Sequence, residues 1–373
     1  MSDLRGEKMR ITSIRLSNFR SYDELIFEPS EGLNIIVGPN AAGKTNILEA
    51  IFLSALGRSH RTGRDIELIN RKYHGAYINI ELKSGSGRHN IELRLRDNEH
   101  KAIRIDGQKL KRMGELMGVL NVVMFSPEDL SIVKSSPLER RRFMDMELCQ
   151  LRPTYFYRLQ QYNAALKQRS GLLKAAFPSP PDPMQLSAWD ERLAALGGDI
   201  MMVRDAFLRE LGDLACEMHG RITDDNEELY VYYKPNAPFS GEAPAAAVHS
   251  ALSCSHEEDI RRGYTTRGPH RDDIGIKLNG EEVRIFGSQG QQRTAALSIK
   301  LSELALMQRE KGEFPVLLLD DVLSELDCDR QKALLSDAFN CQCFLTATSL
   351  EGLEELENIS AYECYAGKLT RII

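Results

Sequence analysis

The stretch Gly38-Pro39-Asn40-Ala41-Ala42-Gly43-Lys44-Thr45 constrains the fold more than any other part of the chain. It matches the pattern GxxxxGK[ST]. Before it lies an apolar run, Leu33-Asn34-Ile35-Ile36-Val37; after it, from Asn46 to Leu56, apolar residues recur at helical spacing and stop at Gly57. A strand, a glycine-rich loop and a helix in that order form a phosphate-binding unit. Small residues let backbone N–H groups curl around an anion, and the helix that follows directs its positive end at it. Gly38, Pro39, Asn40, Ala41, Ala42, Gly43, Lys44, Thr45 and the adjoining Asn46 are therefore candidate nucleotide-binding residues. Lys44 is placed to reach the β- and γ-phosphates of ATP, and Thr45 to ligate Mg²⁺.

A second run, Pro315-Val316-Leu317-Leu318-Leu319, ends in Asp320-Asp321, as expected of a buried parallel strand delivering acids at its C-terminal edge. Asp320 is a candidate for the Mg²⁺ shell. Asp321 is a candidate catalytic residue, together with Lys44, because phosphoryl transfer leaves the protein mainly positioning and charge stabilisation to supply.

Between these motifs, Gly287-Ser288-Gln289-Gly290-Gln291-Gln292-Arg293 opens a further helical pattern, and Ser288 is suited to cap it. A helix start lined with small residues offers another anion site, with Ser288, Gly290 and Gln291 as candidate contacts.

Composition sets the limits. With 373 residues, 42% of them hydrophobic, the chain can bury a large core. Its opening MSDLRGEKMR is too polar for a secretory signal, and no run approaches the roughly 18 apolar residues of a membrane span, so a cytoplasmic protein is expected. Seven scattered cysteines without a CxxC pair read as free thiols. The net charge of −6 argues against attraction to nucleic acid over the whole surface. Residues 134 to 174 nevertheless hold nine Lys or Arg against three Asp or Glu, a basic sector in an acidic chain. A solvated helix face and a DNA contact are both open readings of it.

Period-two alternation over residues 77 to 105 predicts an antiparallel meander, and from about Pro137 to Leu214 helical spacing predicts a helix pair joined at its tip by the proline-rich stretch 177 to 183. Residues 234 to 247 read as a surface loop or linker. The expected architecture is α/β: a phosphate-loop ATPase head split between residues 1–130 and 275–373, with a mainly helical lobe and short arm inserted over 131–274.

The segment at 287 to 293 resembles the signature of ABC ATPases, and Ser324-Glu325-Leu326-Asp327 resembles their D-loop. Within that superfamily the chain resembles the RecF family, which is similar to the heads of SMC proteins without their long coiled coil. The resemblance rests on Leu16-Ser17-Asn18-Phe19-Arg20-Ser21-Tyr22, the loop GPNAAGKTN, Gly57-Arg58-Ser59-His60-Arg61, Phe125-Ser126-Pro127-Glu128-Asp129-Leu130, Arg141-Arg142-Phe143-Met144-Asp145 and Gly268-Pro269-His270-Arg271-Asp272-Asp273.

The resemblance implies an ATP-dependent DNA-binding protein of recombinational repair, replication-fork maintenance and the SOS response. Such a protein acts with RecR and RecO to load the recombinase at single-strand gaps and DNA junctions, and binds single-stranded and linear double-stranded DNA. It further implies an ATP-dependent homodimer in which Ser288 meets the γ-phosphate held by a partner, a weak DNA-stimulated ATPase, and Arg61 near nucleotide or DNA. Arg140, Arg141 and Arg142 are the remaining candidate DNA contacts.

Two departures from the wider ABC pattern bear on γ-phosphate sensing: Phe125-Ser126-Pro127-Glu128 occupies the region where many relatives carry a glutamine, and Thr346-Ala347-Thr348 stands where transporters usually carry a histidine. Asp321 stands where transporters carry glutamate, which suggests slow hydrolysis. Rival readings are the ATPase subunit of a membrane transporter and an SMC-like tethering head. The family segments oppose the first, and the missing heptads oppose the second.

Overall fold

The computed structural model describes residues 7–127, 129, 132–175, 181–240, 243–353, 356 and 359–373. The chain forms two compact units: residues 1–131 with 296–373, and residues 132–295.

The first unit contains two six-stranded sheets. One runs in the order Lys368–Arg371, Ile359–Tyr365, Leu33–Val37, Cys343–Ala347, Val316–Asp320, Val122–Phe125, parallel except for the edge strand Lys368–Arg371. Its central strands are apolar runs because both faces are covered: every residue of Leu33–Val37 and Val316–Asp320 is buried. The other sheet is antiparallel, ordered Tyr22–Phe27, Arg10–Phe19, Gly75–Ser84, Gly87–Arg96, Ala102–Ile105, Gln108–Lys109. The meander legible in the alternation is its third, fourth and fifth strands.

The helix Lys44–Leu56 packs against strands of both sheets and is buried on nearly all sides, as a helix without a polar face must be. Gly57 ends it in the left-handed conformation, φ 67°, its N–H donating to Leu53 O at 2.8 Å.

The second unit is mainly helical. Pro137–Leu151, Pro153–Ala175 and the 41-residue Pro183–Thr223 are its long helices. Asp182 caps the last by accepting from Met184 N, and Pro183 occupies the first turn, where its missing N–H is harmless. Most of the expected proline-rich connection, up to residue 180, lies outside the described residues. The stretch read as a linker is in part a helix, Pro244–Cys254, started by Pro244.

This unit extends to Ala295, past the boundary at 274/275 expected from the sequence. The strand Asp273–Leu278 pairs on one side with Leu229–Lys234 and on the other with Glu281–Glu282, which holds this small sheet in the second unit. The limit at Ala295 falls inside the helix Gln289–Lys311.

Candidate functional site

The phosphate loop is shaped by close backbone approach. A Cβ on Gly38 would lie 2.3 Å from Cys364 O, and one on Gly43, at φ 112°, would lie 2.6 Å from Ser21 Oγ. No larger residue fits either place. The Tyr22 hydroxyl donates to Gly43 O at 3.1 Å, and Cys364 Sγ donates to Ala42 O at 3.4 Å, so both brace the loop from beneath. Burial, with the neighbouring Cys364, drives the Tyr22 hydroxyl far above its ordinary range, so it remains a donor. Lys44 is buried, and its Nζ donates to Gly38 O at 2.7 Å and Pro39 O at 3.0 Å. The lysine is thus folded over the loop it would serve.

At the end of the parallel sheet the expected acids meet the loop. Thr45 Oγ1 donates to Asp320 Oδ1 at 2.8 Å, across 275 residues of sequence. Thr346 Oγ1, from the neighbouring strand, donates to the same oxygen at 2.8 Å and accepts from Asp321 N at 2.9 Å. Asp321 takes a left-handed conformation, φ 52°, which aspartate tolerates better than most residues. Its carbonyl accepts from Ser324 Oγ at 2.8 Å, while its side chain is exposed. The donors assembled here, a hydroxyl and a carboxylate from different elements, are the hard oxygens Mg²⁺ takes while keeping several waters. Of the two departures noted in the sequence, Thr346 touches both acids and Thr348 is exposed; Glu128 lies outside the described residues.

Beside the loop, Glu49 is fully buried. Arg20 grips it at 2.8 and 2.7 Å, Ser59 Oγ donates at 2.5 Å, and Arg61 Nη1 lies 3.4 Å away while also donating to Asn46 at 3.2 Å. Burial alone would raise the Glu49 pKa, yet the hydrogen bonds of Arg20 and Ser59 and the charges of Arg20 and Arg61 outweigh it and hold the carboxyl below its ordinary value. Arg61, half exposed, is thereby oriented next to the phosphate-loop helix. His60 packs edge-on against Phe52 at 5.1 Å; burial lowers its pKa, against the pull of Glu49 and Asp320, so the ring is neutral at neutral pH.

In the second unit, Ser288 caps the helix Gln289–Lys311 as expected. Gln291 N donates to Ser288 Oγ at 3.2 Å and Ser288 N donates to Gln291 Oε1 at 2.8 Å, a reciprocal capping box. Gln291 Nε2 also donates to Glu227 at 2.7 Å, so this side chain serves the cap at one end and Glu227 at the other. Ser288 itself is exposed.

The basic sector must be corrected. Arg140 is buried, its guanidinium forked onto Asp273 at 2.7 and 2.8 Å, with Nη1 on Ser135 O. Arg141 donates to Asp272 O at 2.7 Å. Arg169 is fully buried between Asp190 and Asp259, both at 2.6 Å. Arg140 is therefore withdrawn from any phosphate, and the local charge count overstated what the surface offers. Arg142 is exposed beside Glu139 at 2.8 Å.

Comparison with known proteins agrees with this geometry. Residues 10–369 match the family described as RecF/RecN/SMC N terminal domain. The chain is 42% identical over 353 residues to the DNA replication and repair protein RecF of Alkaliphilus oremlandii, covering 94% of this chain and 96% of that one. It is 44% identical over 350 residues to RecF of Lachnoclostridium phytofermentans, covering 94% and 95%. The structure of a recombination mediator protein RecF with ATP superposes with a TM-score of 0.92 at 36% identity over 99% of both chains. An Smc head domain from Pyrococcus furiosus shares the fold alone, with a TM-score of 0.57 at 16% identity over 98% of this chain and 96% of that one.

A phosphate loop and a strand-end acid pair on this sheet order define a head of the ABC and SMC type of ATPase. The chain belongs to the RecF family of DNA replication and repair proteins.

Sequence reasoning missed Glu49 and Cys364 as parts of this site. Glu49 sits one position after an apolar stretch of the helix and reads as its polar edge; Cys364 carries no local signal. Thr346 was noticed only as a departure, because strand pairing sets it beside Asp320 and a hydrogen bond from Asp321 N reaches its hydroxyl, neither of which a local pattern states.

Proposed function

We propose that this chain is an ATP-operated DNA-binding switch: ATP closes two copies through composite sites, and slow hydrolysis reopens them. The observation that carries the reading is the Thr45–Asp320–Thr346 cluster, which unites the phosphate loop, the acid strand and the strand Cys343–Ala347 at one point. Lys44 would bind the β- and γ-phosphates. Thr45 and Asp320 would hold Mg²⁺, which supplies charge neutralisation on the transferred phosphoryl group. Asp321, with its backbone fixed on both sides, orients or deprotonates the attacking water.

Ser288 opens a long helix whose first N–H groups and dipole favour an anion, and its exposure supports a role toward the ATP of a second copy. ATP then shifts the equilibrium because it binds the closed pair better than the open chains. The place of action, with RecR and RecO at gaps and junctions in recombinational repair, rests on the relatives, one of which is described as a mediator in the RecFOR pathway. Arg61 and Arg142 keep exposed faces and stay in the proposal as DNA contacts.

Sizing the protein with and without ATP tests the scheme. Asp321→Asn should bind ATP, fail to hydrolyse it and accumulate as dimer. Ser288→Arg should bind ATP as a monomer and not dimerise. Mixed with Lys44→Met it should regain partial ATPase, because one composite site then pairs an intact Lys44 with an intact Ser288. If Ser288→Arg lost ATP binding as a monomer, the signature would act within one chain and the shared site would be wrong.

A further inference from the structure

The segment Ile260 to Arg271 holds four arginines in twelve residues and no Asp or Glu. Acids surround it in sequence, yet the structure turns most of them inward. Asp259 is fully buried against Arg169 at 2.6 Å, Asp272 is fully buried against Arg204 at 2.9 Å, and Asp273 takes the Arg140 fork. On the helix His256–Arg262, Glu258 pairs with Arg262 at 2.8 Å and Glu257 is exposed. Arg261, Arg262, Arg267 and Arg271 all face solvent. Acids that would cancel the arginines in a sequence count are therefore largely spent inside the unit.

The segment is also held rigidly. Thr265 Oγ1 accepts from Arg169 at 2.9 Å, and Thr266 donates to Asp259 through its N–H at 2.8 Å and its hydroxyl at 2.6 Å. His270, kept neutral by burial with its pKa lowered to about 4, bridges the Tyr162 hydroxyl at 2.8 Å and Thr265 O at 3.0 Å. At the surface the Arg271 guanidinium lies 5.3 Å over the Tyr264 ring, and Arg262 donates to the Tyr264 hydroxyl at 3.3 Å. Buried ion pairs are a weak source of stability, since desolvation offsets most of their attraction. Fixing exposed cations in advance, however, removes ordering entropy from a binding event.

We propose that Arg261, Arg262, Arg267 and Arg271 form a contact for the sugar–phosphate backbone of DNA, preordered at Arg262 and Arg271, which Tyr264 holds in place. The occupant follows from charge complementarity: arginine forks match phosphate oxygens, and these are four solvent-facing arginines within twelve residues on a chain of net charge −6. This inference rests on the DNA-binding reading above and moves the contact away from Arg140 and Arg141.

The test is fluorescence anisotropy of labelled single-stranded and duplex oligonucleotides over a salt series, using the full chain with ATP. The triple variant Arg261→Gln/Arg267→Gln/Arg271→Gln should lose affinity on the order of 100-fold at low salt. The slope of log affinity against log salt should fall by about 2 to 3, each phosphate contact contributing about 0.7 to 0.9. Arg15→Gln/Arg94→Gln, which removes arginines paired with Glu81 and Glu92 on the antiparallel sheet, should leave the slope unchanged. Equal slopes in wild type and triple variant, or an equal fall in the control, would overturn the assignment. The single variant Arg267→Gln, at an exposed position, should lower the slope by about 1 and guards against misfolding of the triple. ATP affinity of the triple variant should match wild type. A wild-type protein that bound no DNA in any nucleotide state would instead remove the DNA-binding reading itself.

Discussion

In the first unit Asp320 accepts hydroxyl protons from Thr45 and Thr346, whereas in the second unit Asp272 accepts from the Arg204 guanidinium and the Tyr233 hydroxyl. Both are acids at an end of a β-strand or just before one, and both are nearly out of solvent. Their neighbours decide what each can do. Asp320 is held by neutral hydroxyls that can turn toward another ligand, beside an exposed Asp321, so its charge is left for a cation. Asp272 is saturated: Arg204 Nη1 at 2.9 Å, Tyr233, and Asn236 N at 2.7 Å consume its lone pairs, and Arg204 spends its remaining donors on Asp145, Tyr155 and Pro269. A charge pattern in sequence therefore marks chemistry only where the fold leaves its charge unpaired by other charges.

The largest effect that would separate the two clusters is on stability. Arg204→Met strands Asp272 and Asp145, and breaking a buried pair on one side costs about 3–5 kcal/mol. ATP affinity of the folded protein should be unchanged. The loss also has a pH signature. Burial raises the Asp272 pKa even with Arg204 present, and without that cation it rises further. A group with a raised folded pKa binds its proton more tightly in the folded state, so its contribution is best at low pH and lost as pH rises through the folded value. The gap in melting temperature between variant and wild type should therefore narrow as the buffer is made more acidic. A pH-independent gap would mean that the network is held by packing and not by charge.

A smaller effect is expected in the first unit. Thr346→Val keeps shape and removes the hydroxyl that joins Asp320 to the Asp321 N–H, at about 1–3 kcal/mol for the unsatisfied groups. Its diagnostic readout is the Mg²⁺ concentration needed for ATP hydrolysis, which should rise because Asp320 is no longer oriented. A variant with full stability and an unchanged Mg²⁺ requirement would show that Thr346 is a bystander and that the hydroxyl contact does not prepare the site.

What the sequence made legible follows the same division. The strand–loop–helix at 33–56, the acid strand, the meander and the Ser288 cap are local patterns, each readable from a short run of residues even where the strand partners lie far away. Pairing of the buried Arg140, Arg169 and Arg204 is not local. Arg140 finds Asp273 at a separation of 133 residues, Arg204 finds Asp145 at 59, and Arg169 finds Asp259 at 90. A window of residues 134 to 174 therefore counted Arg140 and Arg169 as surface charge, because the acids that neutralise them lie outside it. The second unit's reach to Ala295 was hidden for a related reason: helical periodicity marks where helices lie, but the pairing of Asp273–Leu278 with Leu229–Lys234 depends on a register that no local pattern states.

The smallest predicted effect lies within the basic triplet itself, where three adjacent arginines are the same residue in three environments. Arg142 is exposed, 61% by side chain, and pairs with Glu139 one turn earlier on the helix Pro137–Leu151. An exposed pair at this spacing gains little over its hydrated alternatives and orders two long side chains, so Arg142→Ala should change stability by less than about 0.5 kcal/mol. Raising ionic strength toward 1 M shortens the screening length to about 3 Å and should erase even that. Arg140→Ala differs because its side chain is 5% exposed and its loss leaves Asp273 without the fork that neutralises it. About 2 kcal/mol or more should be lost, and salt should barely alter the figure, since a buried pair is poorly screened. Parallel denaturant titrations of the two variants at low and high salt measure both quantities at once. Equal losses with equal salt sensitivity would place Arg140 in solvent, return it to the surface sector, and undo the distinction between internalised and available charge on which the second unit has been read.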